Sequence, residues 1–271
     1  CDGEFSTQWA RSPEDQQLPR GPVVSERFEV ARNFCNKLWN AARFALLNME
    51  GYSPQEVPSV ELAFEDRWLL SRLSSVTERV TRSLETYQYA EAARMLYDFA
   101  WDEFCSFYVE MAKSRLQAED SQAVAQRVIA HCLDQLLRLL HPMIPFITEE
   151  VWRLMKQVAP VRGLRNPQEA TESIMLAEWP TPVQTDHDPE IEAQFSQFQS
   201  VLGAIREIRS RQNIGPKEQI EFSVTCSEDV TSLLQPMEEF FQSMANARAV
   251  AWGPDVEPST GCATVRRGDV D

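Results

Sequence analysis

Histidine and glycine are scarce in this chain, at 3 and 9 of 271 residues. No glycines cluster, so there is no Gly-rich phosphate loop. His131, His141 and His187 stand apart, with no nucleophile or carboxylate at the spacing of a triad or a metal site. His131 and His141 read as structural histidines. The adjacent acids Glu149-Glu150 and Asp102-Glu103 point apart on a helix. They read as a solvated face and a helix N-terminus rather than an acid–base pair, and we find no active site and no metal site. The six cysteines, Cys1, Cys35, Cys105, Cys132, Cys226 and Cys262, include no CxxC pair, which suits reduced thiols better than a disulfide framework. No apolar run reaches the roughly 18 residues of a membrane span, and no signal peptide opens the sequence. A cytoplasmic location without membrane contact is expected. Basic residues are also short, 26 against 41 acidic ones, for a formal charge of −15. That argues against wholesale coating of DNA or RNA and leaves room for a local basic face. The first residue is Cys1, so the sequence reads as a piece of a longer polypeptide, with Cys1 a candidate last ligand of a metal knuckle upstream.

What is present is helical periodicity. Residues 1–25, rich in Pro, Gly and charge, read as an irregular connector, with Ser25 as an N-cap. From Glu26 to about Asn48, Phe34, Leu38, Ala41 and Ala45 share one face. Further helices are expected over about 64–85, 89–116 and 121–140, with a short one from Thr148 through Met155 after His141-Pro142 and Pro145. Helices of this length joined by short loops pack as antiparallel neighbours, so residues 26–158 predict a helical bundle. Residues 159–189 lose the period and read as an extended linker that lends Ile174, Leu176 and Trp179 to the bundle. Residues 190–271 predict a small α+β subdomain: a helix over 190–211, a strand at Ile220–Val224, a helix over 227–244, a strand at 249–252 and a third strand at 262–266. The fold class is therefore mainly α.

Two basic clusters interrupt the acidic sequence. Between Arg32 and Phe44 stand Arg32, Lys37 and Arg43 with no acid, interleaved with Asn33, Asn36, Trp39 and Asn40. Lys37, Asn40 and Phe44 step by 3 and 4 along one strip, with Arg43 beside it. A cation for phosphate, an amide for a base edge and an aromatic face for a base are what single-stranded RNA recognition requires. The competing reading is that the aromatics are core and the charges solubilise. The second cluster is Arg206, Arg209, Arg211 and Lys217, a solvated helix face or a second RNA contact.

The string Arg32-Asn33-Phe34-Cys35-Asn36-Lys37-Leu38-Trp39-Asn40-Ala41-Ala42-Arg43-Phe44 resembles the signature that opens the anticodon-binding domain of valyl-tRNA synthetases, class I aminoacyl-tRNA synthetases. The resemblance continues through Glu65–Leu73, Tyr97–Cys105, the Leu140-His141-Pro142…Pro145-Phe146…Thr148-Glu149-Glu150…Trp152 motif, Ser173–Pro180 and Ile205–Arg209 with Pro216. It covers about residues 26–226. The isoleucyl relatives share the bundle, and Asn36–Asn40 favours the valyl family.

The resemblance implies a piece that binds and positions tRNA(Val) through the first helix. Phe44 would stack on a base, Arg43 and Lys37 would contact phosphate or base, Asn40 would read a base edge, and Arg32 would assist. It implies a monomer whose further partner is the remainder of the synthetase polypeptide. ATP and Mg2+ are expected for that parent, which charges tRNA with valine and edits mischarged tRNA, and no cofactor for these residues. Neither a HIGH nor a KMSKS motif occurs here, so catalysis and editing would lie elsewhere. A helical interaction scaffold, or the matching isoleucyl domain, is the alternative.

Overall fold

The structure is a computed structural model that describes residues 12–20, 26–257 and 262–266. Cys1, the Ser25 cap and the other connector residues of 1–11 and 21–25 lie outside them. Within the connector the described residues form a one-turn helix, α1 (Pro13–Gln17). Ser12 Oγ accepts from the Asp15 amide at 3.0 Å, and Pro13 opens the turn, so the Ser-Pro-Glu-Asp run was a cap signal.

The bundle is built from α2 (Glu26–Leu47), α3 (Phe64–Glu85), α4 (Tyr89–Asp98), α5 (Val109–Gln117), α6 (Gln122–Leu140) and α7 (Pro145–Val158). The stretch expected as one helix over 89–116 is interrupted by a π-helical segment, Phe99–Tyr108, between α4 and α5. The extra residue per turn lets Phe99, Ala100, Phe104 and Tyr108 all reach the core. Helix α7 starts three residues earlier than the Thr148 cap suggested. Pro145 occupies its first turn, where a missing N–H costs nothing.

Buried charge orders the bundle. Asp66 Oδ2 accepts from the Ala63 amide at 3.1 Å and caps α3, while Tyr108 Oη donates to Asp66 Oδ1 at 2.9 Å and Arg115 pairs with it at 2.8 Å. Burial raises the Asp66 pKa and drives that of Tyr108 well above its ordinary value. Glu103 is not on a solvated face: with Glu192 it brackets the Arg72 guanidinium, at 2.8 and 3.0 Å. Its pKa is raised by desolvation. His131 has its pKa lowered by desolvation, and His141 Nδ1 lies 2.8 Å from Thr148 Oγ1 at the α6–α7 corner. Both are accounted for structurally.

Residues 159–189 carry a two-residue antiparallel ladder, β1 (Val161–Arg162) with β2 (Gln168–Glu169). Ile174 is buried and Trp179 Nε1 donates to Thr81 Oγ1 at 2.8 Å, as the linker reading expected of those side chains. Leu176 does not pack; it is exposed on a one-turn 3₁₀ helix.

Helix α8 (Pro189–Arg211) opens with Asp188 accepting from the Ile191 amide at 3.1 Å. It serves both halves of the molecule. Phe195 stacks on Trp68 of α3 at 3.5 Å, and Phe198 meets Phe241 at 4.7 Å. Beyond it, β3 (Ile220–Thr225) pairs in parallel with β4 (Ala247–Gly253), joined by α9 (Glu228–Leu234) and α10 (Glu238–Ala245). A parallel pair needs such a crossover. The helix expected over 227–244 is broken by a 3₁₀ turn at Pro236. Asn246 ends α10 in the left-handed conformation (φ 48°), which asparagine tolerates. A register shift after Phe222 leaves Val250 as the extra residue of β4, outward and exposed. The third strand expected at Cys262–Arg266 is not formed; those residues have no ladder partner among the described residues.

Candidate nucleic-acid interface

Helix α2 has two unlike faces. Phe34, Leu38, Ala41, Ala42 and Ala45 are buried in the bundle core. Arg32, Asn33, Asn36, Trp39, Asn40, Arg43 and Leu47 are exposed on the other side, a strip along the helix. From Val30 to Met49 the sequence holds no Asp or Glu, and Glu29, just before that stretch, faces Arg32 alone among the described residues. Residues 28–33 are all exposed, so the N-terminal part of α2 projects beyond the core.

The far end of α2 is clamped by polar side chains of α6. Gln126 Nε2 donates to the carbonyls of Asn48 (2.7 Å) and Glu50 (2.9 Å), and Arg127 Nε donates to that of Ser53 (2.8 Å). These bonds satisfy carbonyls that the end of a helix and the loop beyond it leave without donors. Neither Gln126 nor Arg127 was singled out in the sequence. Both sit at buried positions of α6, where a polar residue breaks an apolar pattern, and that break was the available signal.

The expected contact residues meet different fates. Arg43 is exposed and has no ion-pair or hydrogen-bond partner among the described residues. Asn40 beside it is likewise exposed, with both amide functions open. Arg32 is exposed, with a long 3.7 Å pairing to Glu29 that water readily exchanges. Phe44 is half-buried against the core, and the Lys113 ammonium lies 5.9 Å from its ring centre while pairing with Glu110 at 2.6 Å. Burial and the neighbouring ammonium leave its ring less open than an exposed aromatic. Lys37 turns away from the strip. Its Nζ donates to Ser106 Oγ at 2.6 Å and lies 4.0 Å from the Trp101 ring centre, while Ser106 Oγ donates to the Trp101 carbonyl at 2.8 Å. The bond from Ser106 back to Trp101, five residues earlier, suits the wider turn of the π segment. Tyr97 lies parallel to Trp101 at 5.6 Å and Phe34 stacks on Tyr97 at 5.1 Å, so Lys37 closes a column of rings that fastens α2 to its neighbour.

The second cluster is largely engaged within the protein. Arg209, read from the sequence as a possible contact, is buried; its guanidinium donates to the Gly215 carbonyl and, at 2.8 Å, to that of Glu218, holding the loop between α8 and β3. Arg211 pairs with Glu207 one turn back. The Arg206 guanidinium reaches the Met244 carbonyl at 3.4 Å and lies 6.0 Å from the Phe107 ring; partial burial lowers its pKa. Lys217 is exposed at the loop. These four do not converge on one open surface.

Among the described residues, no helix is long and apolar enough to cross a membrane, and no group of three His, Cys, Asp or Glu side chains converges as a metal site would.

The chain resembles known proteins along its whole length. It is 52% identical to the valine–tRNA ligase of Rhodopirellula baltica over 100% of the chain, and 37% identical to that of Bacillus subtilis over 86%. It spans about a quarter of the length of these curated relatives, 26% in both cases. A solved LeuRS chain, from a ternary complex with tRNA and LeuAMS of Agrobacterium radiobacter K84, overlaps 63% of this chain and 19% of its own at 17% identity and a TM-score of 0.42. The profile of the family described as "Anticodon-binding domain of tRNA ligase" matches residues 66–224, from Asp66 at the head of α3 to Val224 in β3. The chain belongs to the anticodon-binding domain family of tRNA ligases, and its curated relatives are valine–tRNA ligases.

Proposed function

We propose that the exposed strip of α2 receives the anticodon loop of a valine-accepting tRNA, and that this chain serves as the tRNA-positioning part of a valine–tRNA ligase in the cytoplasm. The observation that carries the reading is the pairing of Arg43, a cation without a partner, with the open amide of Asn40 on an acid-free face of a chain of net charge −15. RNA is drawn to that face and repelled elsewhere, which confines binding. An unstacked loop offers phosphates to Arg43 and base edges to Asn40. Arg32 adds a weaker, exposed cation, and the half-buried Phe44 borders the strip. Lys37 acts through position, by fixing α2 on the π segment. Arg206 and Lys217 lie on exposed ground and form a secondary contact at most.

Charging of tRNA with valine, its ATP and Mg2+, and editing belong in this reading to further parts of a ligase polypeptide. The residues described do not fit ATP or Mg2+: the carboxylates do not converge as a metal site, and Gly51, Gly163, Gly203, Gly215 and Gly253 are dispersed. A monomer in solution is part of the proposal.

The test is binding of a tRNA(Val) transcript to the full chain at low salt, beside a scrambled RNA of equal length and the Arg43→Ala variant. We expect preference for the transcript and a clear loss in the variant. Equal binding of both RNAs, or no effect of the substitution, overturns the reading in favour of a helical interaction scaffold.

A further inference from the structure

Among the described residues six tryptophans are present, and five are engaged. Trp68 stacks on Phe195 at 3.5 Å and Trp101 on Tyr97 at 5.6 Å. Trp152 donates to the Thr171 carbonyl at 3.1 Å, Trp179 donates to Thr81 at 2.8 Å, and Trp252 packs on Phe222 at 5.6 Å. Trp39 is the exception. It is 38% exposed on α2, with no ring partner and no bond to its indole N–H among the described residues.

Its surroundings distinguish it from a stray surface aromatic. On a helix, Trp39 neighbours the residues three and four positions away: Cys35 and Asn36 on one side, Ala42 and Arg43 on the other, of which Ala42 is buried in the core and Asn36 and Arg43 are exposed. Asn40 follows it on the exposed strip. An indole face, a cation without a partner and two open amides thus share one patch, with no acid from Val30 to Met49. A protein partner seeking an apolar anchor would gain from flanking aliphatic groups. Here the immediate flank is polar and cationic, which favours an anionic, aromatic ligand. Phe44 fits that role less well, half-buried with the Lys113 ammonium above it.

We infer that Trp39 is the stacking platform on which an unstacked RNA base rests, with Arg43 engaging the adjoining phosphate and Asn36 and Asn40 bracketing the base edge. The inference rests on the reading of α2 as an RNA-binding face and adds the residue that grips the base. Because every base has a π-face, the stack supplies affinity with little sequence preference, and selection falls to the two asparagines.

The test uses the full chain with a tRNA(Val) transcript and a scrambled RNA, comparing wild type with Trp39→Leu, Trp39→Phe and Phe44→Leu. Base–aromatic stacking predicts that Trp39→Leu weakens transcript binding by about 10- to 100-fold, whereas Trp39→Phe retains most of it. Phe44→Leu should cost less than Trp39→Leu. Because Trp39 is only 38% exposed, the thermal melt of each variant is recorded beside its affinity, and Trp39→Phe, which keeps a ring in place, should hold the wild-type melt. As a direct readout, 19F NMR of protein labelled with 5-fluorotryptophan, its Trp39 signal picked out of the seven by its loss in Trp39→Phe, should shift that signal on adding RNA while those of Trp68, Trp101, Trp152, Trp179 and Trp252 stay in place. Wild-type binding that survives Trp39→Leu, with an unmoved Trp39 resonance, overturns the stacking role and leaves the Arg43 reading intact. Absence of wild-type preference for the transcript overturns both. Loss of self-association or of binding to another protein on Trp39→Leu, without loss of RNA affinity, assigns the ring to a protein contact and overturns the inference.

Discussion

The two basic clusters look alike as sequence and differ as structure. Each holds several cations in a short, acid-poor stretch of helix. In α2 the cation furthest along the exposed strip, Arg43, has no partner, whereas at the end of α8 Arg209 is buried on the Gly215 and Glu218 carbonyls and Arg211 is paired with Glu207. What separates them is the demand of the nearby backbone. The loop after α8 leaves carbonyls without donors, and Arg209, with five N–H groups, is the side chain placed to supply them. The carbonyls at the end of α2 are supplied instead by Gln126 and Arg127 of α6, which leaves the arginine on α2 free. A basic cluster stays open only where something else has satisfied the chain around it.

The strongest way to break this contrast is Arg209→Leu. Two loop carbonyls lose their donor at roughly 1–3 kcal/mol each, so the α8–β4 region should lose about 2–4 kcal/mol of stability in urea unfolding, read near Trp252. RNA affinity should change by less than about twofold, a margin set by the distance of Arg209 from the α2 strip in sequence and fold. Unchanged stability with lost RNA binding would reverse the roles of the two clusters.

Lys37→Met sharpens the comparison within α2 itself. A hydrogen bond from a charged donor contributes about 1.5–3 kcal/mol, and the ring contact with Trp101 somewhat less, so stability should fall by around 2 kcal/mol. The substitution should be strongly non-additive with Ser106→Ala, since the two share one bond. The dependence of RNA binding on salt should keep its slope. A slope reduced by about 0.7–1 would mean that Lys37 leaves Ser106 to contact a phosphate.

Much of the fold could be read from periodicity, and the reasons for the rest are specific. The core face of α2 followed from Phe34, Leu38, Ala41 and Ala45, all buried. The π segment did not, because a widened turn conserves the apolar count while changing the angle between side chains, and a period of 3.6 cannot register that. The strand expected at Cys262–Arg266 has no partner edge among the described residues, which sequence alone does not reveal. For the site, charge and aromatic content pointed to α2, whose outer strip is exposed and whose residues 30–49 hold no acid. The assignment of Lys37 to the strip used spacing on its own helix. The hydroxyl that captures it, Ser106, lies 69 residues away, and only tertiary structure brings the two together.

Arg43→Ala should leave stability within about 0.5 kcal/mol, as expected of an exposed side chain without partners. Its effect should appear in affinity, with a slope against salt shallower by about 0.7–1, the value of one phosphate on a single or double strand. A weaker affinity with an unaltered slope would make Arg43 a base contact, and the strip would then hold RNA without a direct phosphate clamp.

Arg211→Ala marks the small end. Its partner Glu207 lies one turn back on an exposed part of α8, and such pairs contribute about 0.3–0.5 kcal/mol, screened further by salt. Arg211 also sits in the last turn of α8, where a cation interacts favourably with the carbonyl end of the helix. The combined loss should remain below about 1 kcal/mol in urea unfolding and shrink as salt rises. If instead Arg211→Ala depresses tRNA affinity as much as Arg43→Ala, the ion pair with Glu207 must open on binding, and the α8 cluster would join α2 as a second arm of the interface. An unchanged affinity leaves the division intact: one cluster kept open for a ligand, the other closed on its own chain.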